Sequence, residues 1–332
     1  MASIRDIAYH AGTSVATVSR VINDSGYVSA ATRARVQQAI ATLGFLPNAG
    51  ARRLRSGSSR MVGVVLPALD VPFFAILAHV VERALFRQGY QALICCTDES
   101  ADQEARYVST LLSQQVDGVL AASVLADSTQ YRRIADAGIP IVALDRDLPE
   151  IAAVQVKADH RLGGQMMAAH LLDLGHRRIA VVGAPAHSPP IRARLQGVID
   201  RLGAAGLHPS QVALGEVHDF DACQALARQV LSGDPRPTAV IGTTDTAAIG
   251  AIHAAIGLGL SVPGDLSVIG FDDLPAARYV LPALSTVAQP LRDIGECAVR
   301  QLCALMSGEE IAPPTEFALH LVVRDTTAAP AA

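Results

Sequence analysis

The residues of this 332-residue chain best placed to do chemistry are carboxylates, arginines and aromatics next to short apolar runs. Asp98 follows the run 91–96, Asp145 follows Ile141-Val142-Ala143-Leu144, and Asp272-Asp273 follows Val268-Ile269-Gly270-Phe271. Phe73 and Phe74 come after the run 61–67, and Arg192 and Arg194 lie at the start of a later amphipathic stretch. Carboxylates and an arginine facing one another across a cleft suit a sugar, because paired hydroxyls both donate and accept while the apolar ring face stacks on aromatics. Taken singly, an Asp at a strand end is an ordinary helix cap, so the argument rests on convergence. A competing reading makes Asp145, Asp272 and His160 the machinery of an enzyme acting on a sugar or sugar phosphate. Against it, the chain has no GxSxG, HExxH, Walker A or GxGxxG string and no nucleophile beside an evident base. No catalytic residue, cofactor or metal site is therefore expected.

The elements that must position these groups begin at Met61. Strands are predicted at 61–67, 91–96, 117–122 and 139–144, with helices at 73–88, 101–114 and 129–137 between them. The pattern then restarts, with helices at 160–174, 191–205, 221–232 and 246–258 and strands at 178–183, 212–216, 238–242 and 266–271. Alternation of this kind makes doubly wound parallel sheets, here two units in series, and a ligand belongs beyond the carboxyl ends of the strands, in the cleft between the units.

The first sixty residues differ in charge and texture. They hold eight arginines against Asp6 and Asp24, a net of +6, whereas the whole chain is at -4. A basic head on an acidic body suggests a polyanion-binding module. Ser3 can cap a helix with Asp6 three residues on, and Ile4, Ile7, Ala8 and Ala11 recur at helical spacing until Gly12. Ser14 can cap a second helix with an apolar stripe of Val15, Val18, Val21 and Ile22. After the Asn23-Asp24-Ser25-Gly26 turn, Ser29 or Thr32 can start a third, with Val36, Ile40 and Leu43 inward and Gly44 ending it. Two short helices joined by a Gly-containing turn are a helix-turn-helix. The second helix suits a major groove: small residues allow close approach, hydroxyls and amides hold phosphates, and Arg20 can grip a guanine edge.

The strings Ile4-Arg5-Asp6-Ile7-Ala8, Ala11 through Asn23, and Gly44-Phe45-Leu46-Pro47-Asn48-Ala49 resemble the lactose-repressor/galactose-repressor (LacI/GalR) family of bacterial transcription regulators. The resemblance implies that Val15, Ala16 and Arg20 read bases while Ser14, Thr17, Ser19 and Asn23 sit near the backbone. It makes 47–60 a hinge helix and linker in which Leu54 wedges into the minor groove and Arg52, Arg53 and Arg55 neutralise phosphates. Gly50 should leave that helix unfolded off DNA. Over the body, Gly163-Gly164, Arg192-Ala193-Arg194-Leu195 and Gly270-Phe271-Asp272-Asp273 extend the likeness to about residue 325. Such a body looks like periplasmic sugar-binding proteins, and the likeness implies effector contacts from Phe73, Asp145, Arg194, Phe220, Asp272 and, less regularly, Gln289. Phe74 and Asp98 join them from strand position, and Thr244 stands where many members have a contacting Asn. His160 likewise replaces an Asn, and Val71 and Ala68 replace an Asn and an Asp.

The expected fold is thus an N-terminal all-α helix-turn-helix domain (1–46) plus hinge helix (47–60), then a C-terminal α/β periplasmic-binding-protein-like domain (61–332) of two doubly wound parallel-sheet subdomains. One subdomain takes about 61–159 plus 291–318 and the other about 160–290 plus 319–326. The function this implies is a transcriptional regulator, a repressor, binding double-stranded operator DNA as a homodimer, since one reading helix covers half a near-palindrome. A small sugar, polyol or sugar acid would control it by preferring one closure of the two lobes. A free sugar-binding protein would have no use for residues 1–60. Five cysteines without metal-ligand spacing read as reduced thiols, and no membrane span or signal peptide is expected, so the place of action is cytoplasmic, on the nucleoid when bound to DNA. His176 with Arg177 and Arg178 reads as charge at a helix C-terminus. The last residues, 326–332, read as a short tail without heptads, which argues against a tail-driven tetramer.

Overall fold

Side-chain caps start the helices of the amino-terminal residues. Helix α1 (Ile4–His10) opens with a reciprocal box in which Ser3 Oγ accepts from the Asp6 amide at 3.3 Å and Asp6 Oδ2 accepts from the Ser3 amide at 2.7 Å. Ser14 Oγ accepts from the Thr17 amide at 3.1 Å at the head of α2 (Val15–Ile22). Ser29 caps α3 (Ala30–Leu43), which ends at Gly44 in a left-handed conformation. Ile7, Ala8, Ala11, Val18, Val21, Val36 and Ala39 close a small core. Val15 departs from the expected stripe: in the first turn of α2 it reaches past that core and is 46% exposed.

The computed structural model describes residues 2–22, 24–45, 58–122, 129–145, 148, 151–152, 154–216, 219–311 and 317–331. They fall into two units, Met1–Ser59 and Arg60–Ala332. The expected hinge residues Arg52, Leu54 and Arg55, and Asn23, lie outside the described residues.

The larger unit has two lobes. In the first, β1 (Met61–Leu66), β2 (Gln91–Cys96), β3 (Gly118–Ala121), β4 (Ile141–Leu144) and β5 (Val154–Val156) form a parallel sheet in the order β2-β1-β3-β4-β5, accompanied by α4 (Pro72–Arg87), α5 (Ala101–Gln114) and α6 (Thr129–Asp136). In the second, α7 (His160–Asp173), α8 (Pro189–Gly203), α9 (Phe220–Leu231), α10 (Asp245–Gly257) and α11 (Ala276–Tyr279) flank β6 (Ile179–Gly183), β7 (Gln211–Leu214), β8 (Ala239–Gly242), β9 (Ser267–Asp272) and β10 (Ser285–Ala288). The chain then returns to the first lobe, where α12 (Leu291–Ser307) packs against α4, β3, β4 and β5. It finishes in the second lobe as β11 (His320–Val322), antiparallel to β10, completing the order β11-β10-β9-β8-β6-β7. One continuous buried cluster includes residues of both lobes, among them Val64, Leu120, Ile179, Ile269 and Leu302.

Glycines bring α7 and α8 together. A Cβ on Gly164 would collide with the Arg194 carbonyl, a Cβ on Gly197 with the Arg161 carbonyl, and a Cβ on Gly163 with the Phe271 ring. Only bare backbone permits that approach, and it sets the start of α7 beside the side chain of Arg194.

His176 is a correction. It is 1% exposed, bonded through Nδ1 to Thr238 Oγ1 and through Nε2 to the Ala328 carbonyl, both at 2.9 Å, and burial pushes its pKa down. A neutral buried bridge, not a helix-end charge, accounts for it, because the last residues fold back over it. Thr326 Oγ1 donates to the Val268 carbonyl and accepts from the Ser285 amide, while Ser267 Oγ donates to the Ala328 carbonyl.

Candidate functional site

Beyond the carboxyl ends of the parallel strands, the two lobes of the larger unit enclose a cleft of about 510 Å³, including its part open to solvent. Pro67, Ala68, Val71, Phe73 and Phe74 line it from the first lobe and Pro185, Pro190 and Ile191 from the second. The two phenylalanines meet edge to face, with centroids 5.1 Å apart. Polar groups enter from both sides: Glu99 and Asp145 opposite Ser188, Arg194, Thr244 and Asp272. Asp145 (φ +56°) and Asp272 (φ +122°) each turn the backbone left-handed where a strand ends.

These groups are joined in a buried chain. Asp145 Oδ1 lies 2.9 Å from His160 Nε2, and His160 Nδ1 lies 3.3 Å from Arg194 Nη2 and 3.4 Å from Nε. Arg194 Nη1 donates to the Thr243 carbonyl at 2.7 Å, Nη2 lies 3.4 Å from Asp272 Oδ1, and the guanidinium carbon stands 3.8 Å from the centre of the Phe271 ring. Gln289 Nε2 donates to Asp272 Oδ1 at 2.7 Å. An arginine can only donate, so His160 Nδ1 is the acceptor and Nε2 bears the hydrogen that goes to Asp145. Burial holds the His160 pKa down, more than the Asp145 carboxylate raises it, so the ring is neutral. Burial likewise pushes Asp272 up to about 7, although Arg194 and Gln289 favour its ionised form. Behind it, Asp245 accepts from Thr286 Oγ1 at 2.6 Å and from the Leu274 amide at 2.7 Å, and burial, then the neighbouring Asp272, raise its pKa further.

Of the residues the sequence singles out for a ligand, Phe73, Phe74, Asp145, Arg194, Thr244 and Asp272 line one cleft, with Gln289 supporting Asp272. Two do not line it. Asp98 is exposed and accepts from Gln103 Nε2, because consecutive left-handed residues at 98 and 99 turn the next carboxylate, Glu99, into the cleft instead. Phe220 packs edge to face on His253, centroids 5.1 Å apart. Thr244 spends its hydroxyl oxygen on the Ala247 amide as the cap of α10. Arg192 is exposed. Sequence reasoning missed Glu99 as a lining residue, and it grouped His160 with Asp145 and Asp272 only in the competing enzyme reading, not as the centre of the polar chain. For His160 the available signal was its place at the head of a helix bearing Gly163-Gly164.

In the smaller unit, Ser14, Val15, Ala16 and Arg20 are exposed along α2, and Thr17 and Ser19 are half-buried. Ser14 and Thr17 hydroxyls lie 2.9 Å apart, and the Arg20 stem runs 3.8 Å from where a Gly26 side chain would begin. Small and hydroxyl-bearing residues at a helix start with one free-standing arginine make a surface fit to enter a major groove.

Two family models match this chain: bacterial regulatory proteins of the lacI family over residues 3–48 and the periplasmic binding protein-like domain over 168–327. A ribose operon repressor of Halalkalibacterium halodurans is 34% identical, over 98% of this chain and 97% of its own. The lac repressor dimer bound to operator and the anti-inducer ONPF superposes with a TM-score of 0.89 at 28% identity, covering 99% of both chains. A CelR–cellobiose complex gives 0.75 at 32% identity, covering 98% of this chain and 100% of that one. The fold is that of a DNA-binding domain joined to a periplasmic-binding-protein-like domain. The chain belongs to the LacI family of bacterial regulatory proteins and is a DNA-binding transcriptional regulator. No helix among the described residues is long and apolar enough to cross a membrane.

Proposed function

We propose that this regulator is a repressor that binds a near-palindromic operator as a homodimer, in the cytoplasm and on the nucleoid, and that a small sugar-like effector in the interlobe cleft alters its grip. Asp145 from one lobe and Arg194 and Asp272 from the other, buried below the Phe73–Phe74 pair, are the observation that carries the effector half. A ligand touching both lobes favours one closure over another and so shifts the DNA-bound population, which needs no bond chemistry. Val15, Ala16 and Arg20 take the bases, with Ser14, Thr17, Ser19 and Asn23 along the backbone and Arg52, Leu54 and Arg55 at the hinge. The first subdomain takes about 61–159 plus 291–318 and the second about 160–290 plus 319–326. The solved lac repressor relative is a dimer, and Tyr279 and Leu281, 78% and 82% exposed, offer apolar surface for a second copy.

Full-length protein equilibrated with fragmented genomic DNA at moderate salt is expected to retain a near-palindromic site, and a sugar panel to contain a compound that releases or tightens it. Enrichment of no sequence overturns the operator reading. A retained site that no member of the panel shifts overturns the sugar reading.

A further inference from the structure

The donors and acceptors of the cleft are unequally supplied. Glu99, whose Oε2 lies 3.1 Å from His187 Nε2, Asp145 and Asp272 bring carboxylates, whereas Arg194 brings the one cationic side chain among the lining residues described. That arginine is largely committed. Its Nη1 is on the Thr243 carbonyl, its Nε and Nη2 face His160 Nδ1, Nη2 also faces Asp272, and one guanidinium face covers Phe271. A bidentate grip on a carboxylate or phosphate needs two parallel N–H groups free on one edge, and His160 occupies the edge formed by Nε and Nη2. Gln289, which does not line the cleft, braces Asp272. With its Nε2 on Asp272, its Oε1 is buried and has no hydrogen-bond partner among the described residues.

We propose that His160 makes the cleft selective for an uncharged polyhydroxy ligand over the matching sugar acid or sugar phosphate, by holding Arg194 in pairs within the protein, in a cleft whose other ionisable lining groups among the described residues are carboxylates. The inference rests on the effector reading above and narrows it, setting aside the sugar acid that the sequence left open. His160 is a positioning residue: one ring nitrogen donates to Asp145 and the other accepts from Arg194, so a single neutral imidazole fixes both partners. A hydroxyl can donate to a carboxylate and accept from a remaining guanidinium N–H. An ionised carboxylate or phosphate dianion can only accept, and its charge is repelled by the carboxylates already in the cleft.

The test is calorimetric titration of the full-length protein near neutral pH with matched sets: ribose, ribonate and ribose 5-phosphate, then glucose, gluconate and glucose 6-phosphate. The wild type is expected to bind a neutral member at least about tenfold more tightly than its charged counterparts, the scale set by mismatched buried polar groups. His160→Leu frees the Nε edge of Arg194 and is expected to bring that ratio toward unity. His160→Asn keeps one donor and one acceptor and should restore most of the discrimination, which a merely space-filling role would not require. Tighter binding of the acid or phosphate by the wild type, or an unchanged ratio in His160→Leu, overturns the proposal. If operator DNA is bound but no compound of either charge is, the effector reading fails, and the proposal is then judged on nitrogen-15 spectra of the free protein. His160 is expected there with Nε2 protonated and Nδ1 bare, and the reverse tautomer or an imidazolium near neutral pH overturns it.

Discussion

The two candidate functional surfaces of this protein are built in opposite ways. On the amino-terminal unit the residues that face outward, Ser14, Val15, Ala16 and Arg20, come from one helix and its cap. In the body, Asp145, His160, Arg194, Asp272 and Gln289 come from five separate segments and are all buried. A surface reader can lose a side chain without losing its fold, whereas a buried polar chain is structure and recognition at once. The difference predicts which substitutions cost only function.

The largest effect is expected at Arg194. Arg194→Ala leaves Asp272 and the Thr243 carbonyl without their cation, a loss on the order of 3–5 kcal/mol of body stability, read as a lowered midpoint in denaturant. Where it remains folded it should bind operator and ignore effector, and a normal effector response would sink the site assignment. Gly164→Val forces α7 away from the Arg194 carbonyl, and about 1–3 kcal/mol or more of body stability should be lost in the same assay while the amino-terminal unit keeps its helices. Arg20→Ala sharpens the contrast from the other side. It should remove about 1–3 kcal/mol of operator preference and leave weak, salt-sensitive DNA binding, with the denaturation midpoint unmoved. The smallest effect is a pH dependence. The Asp272 carboxyl, raised to about 7 in the empty body, contributes stability in full below its unfolded pKa and loses it as pH rises through 7. Between pH 6 and 8 the wild type should therefore lose about 1 kcal/mol relative to Asp272→Asn. Arg194, Gln289, Asp145 and Asp245 face this group, and equal slopes for the two proteins would refute its titration there.

The same contrast governs how much of each surface is legible in the amino-acid sequence. Ser3, Ser14 and Ser29 act on amides three residues away, so the three-helix unit can be read almost residue by residue. Asp145 and Asp272 are legible because parallel strands put their carboxyl ends along one edge, whatever the loops do. Which of Asp98 and Glu99 turns into the cleft depends on two left-handed residues in succession, and a strand boundary does not encode that. Phe220 points to a ligand by family likeness, yet its ring is taken by His253. His160 stands out as a departure from the family, but its partners lie 15 and 34 residues away, beyond any local pattern. The three-residue strand β5 is too short to show periodicity, and nothing in the composition of the final residues signals that they are stitched into a sheet.

That stitching sets the order in which the protein can be made. The second lobe lacks β11 and the bonds of Thr326 and Ala328 until residues 320–328 have been synthesised, and the first lacks α12 until residues 291–307 have been. On the ribosome the DNA-reading unit, assembled from neighbours in sequence, is ready long before the body that governs it. A message broken late in its reading frame would thus yield a reader without its governor, and the carboxyl-terminal residues are what stand between the two outcomes.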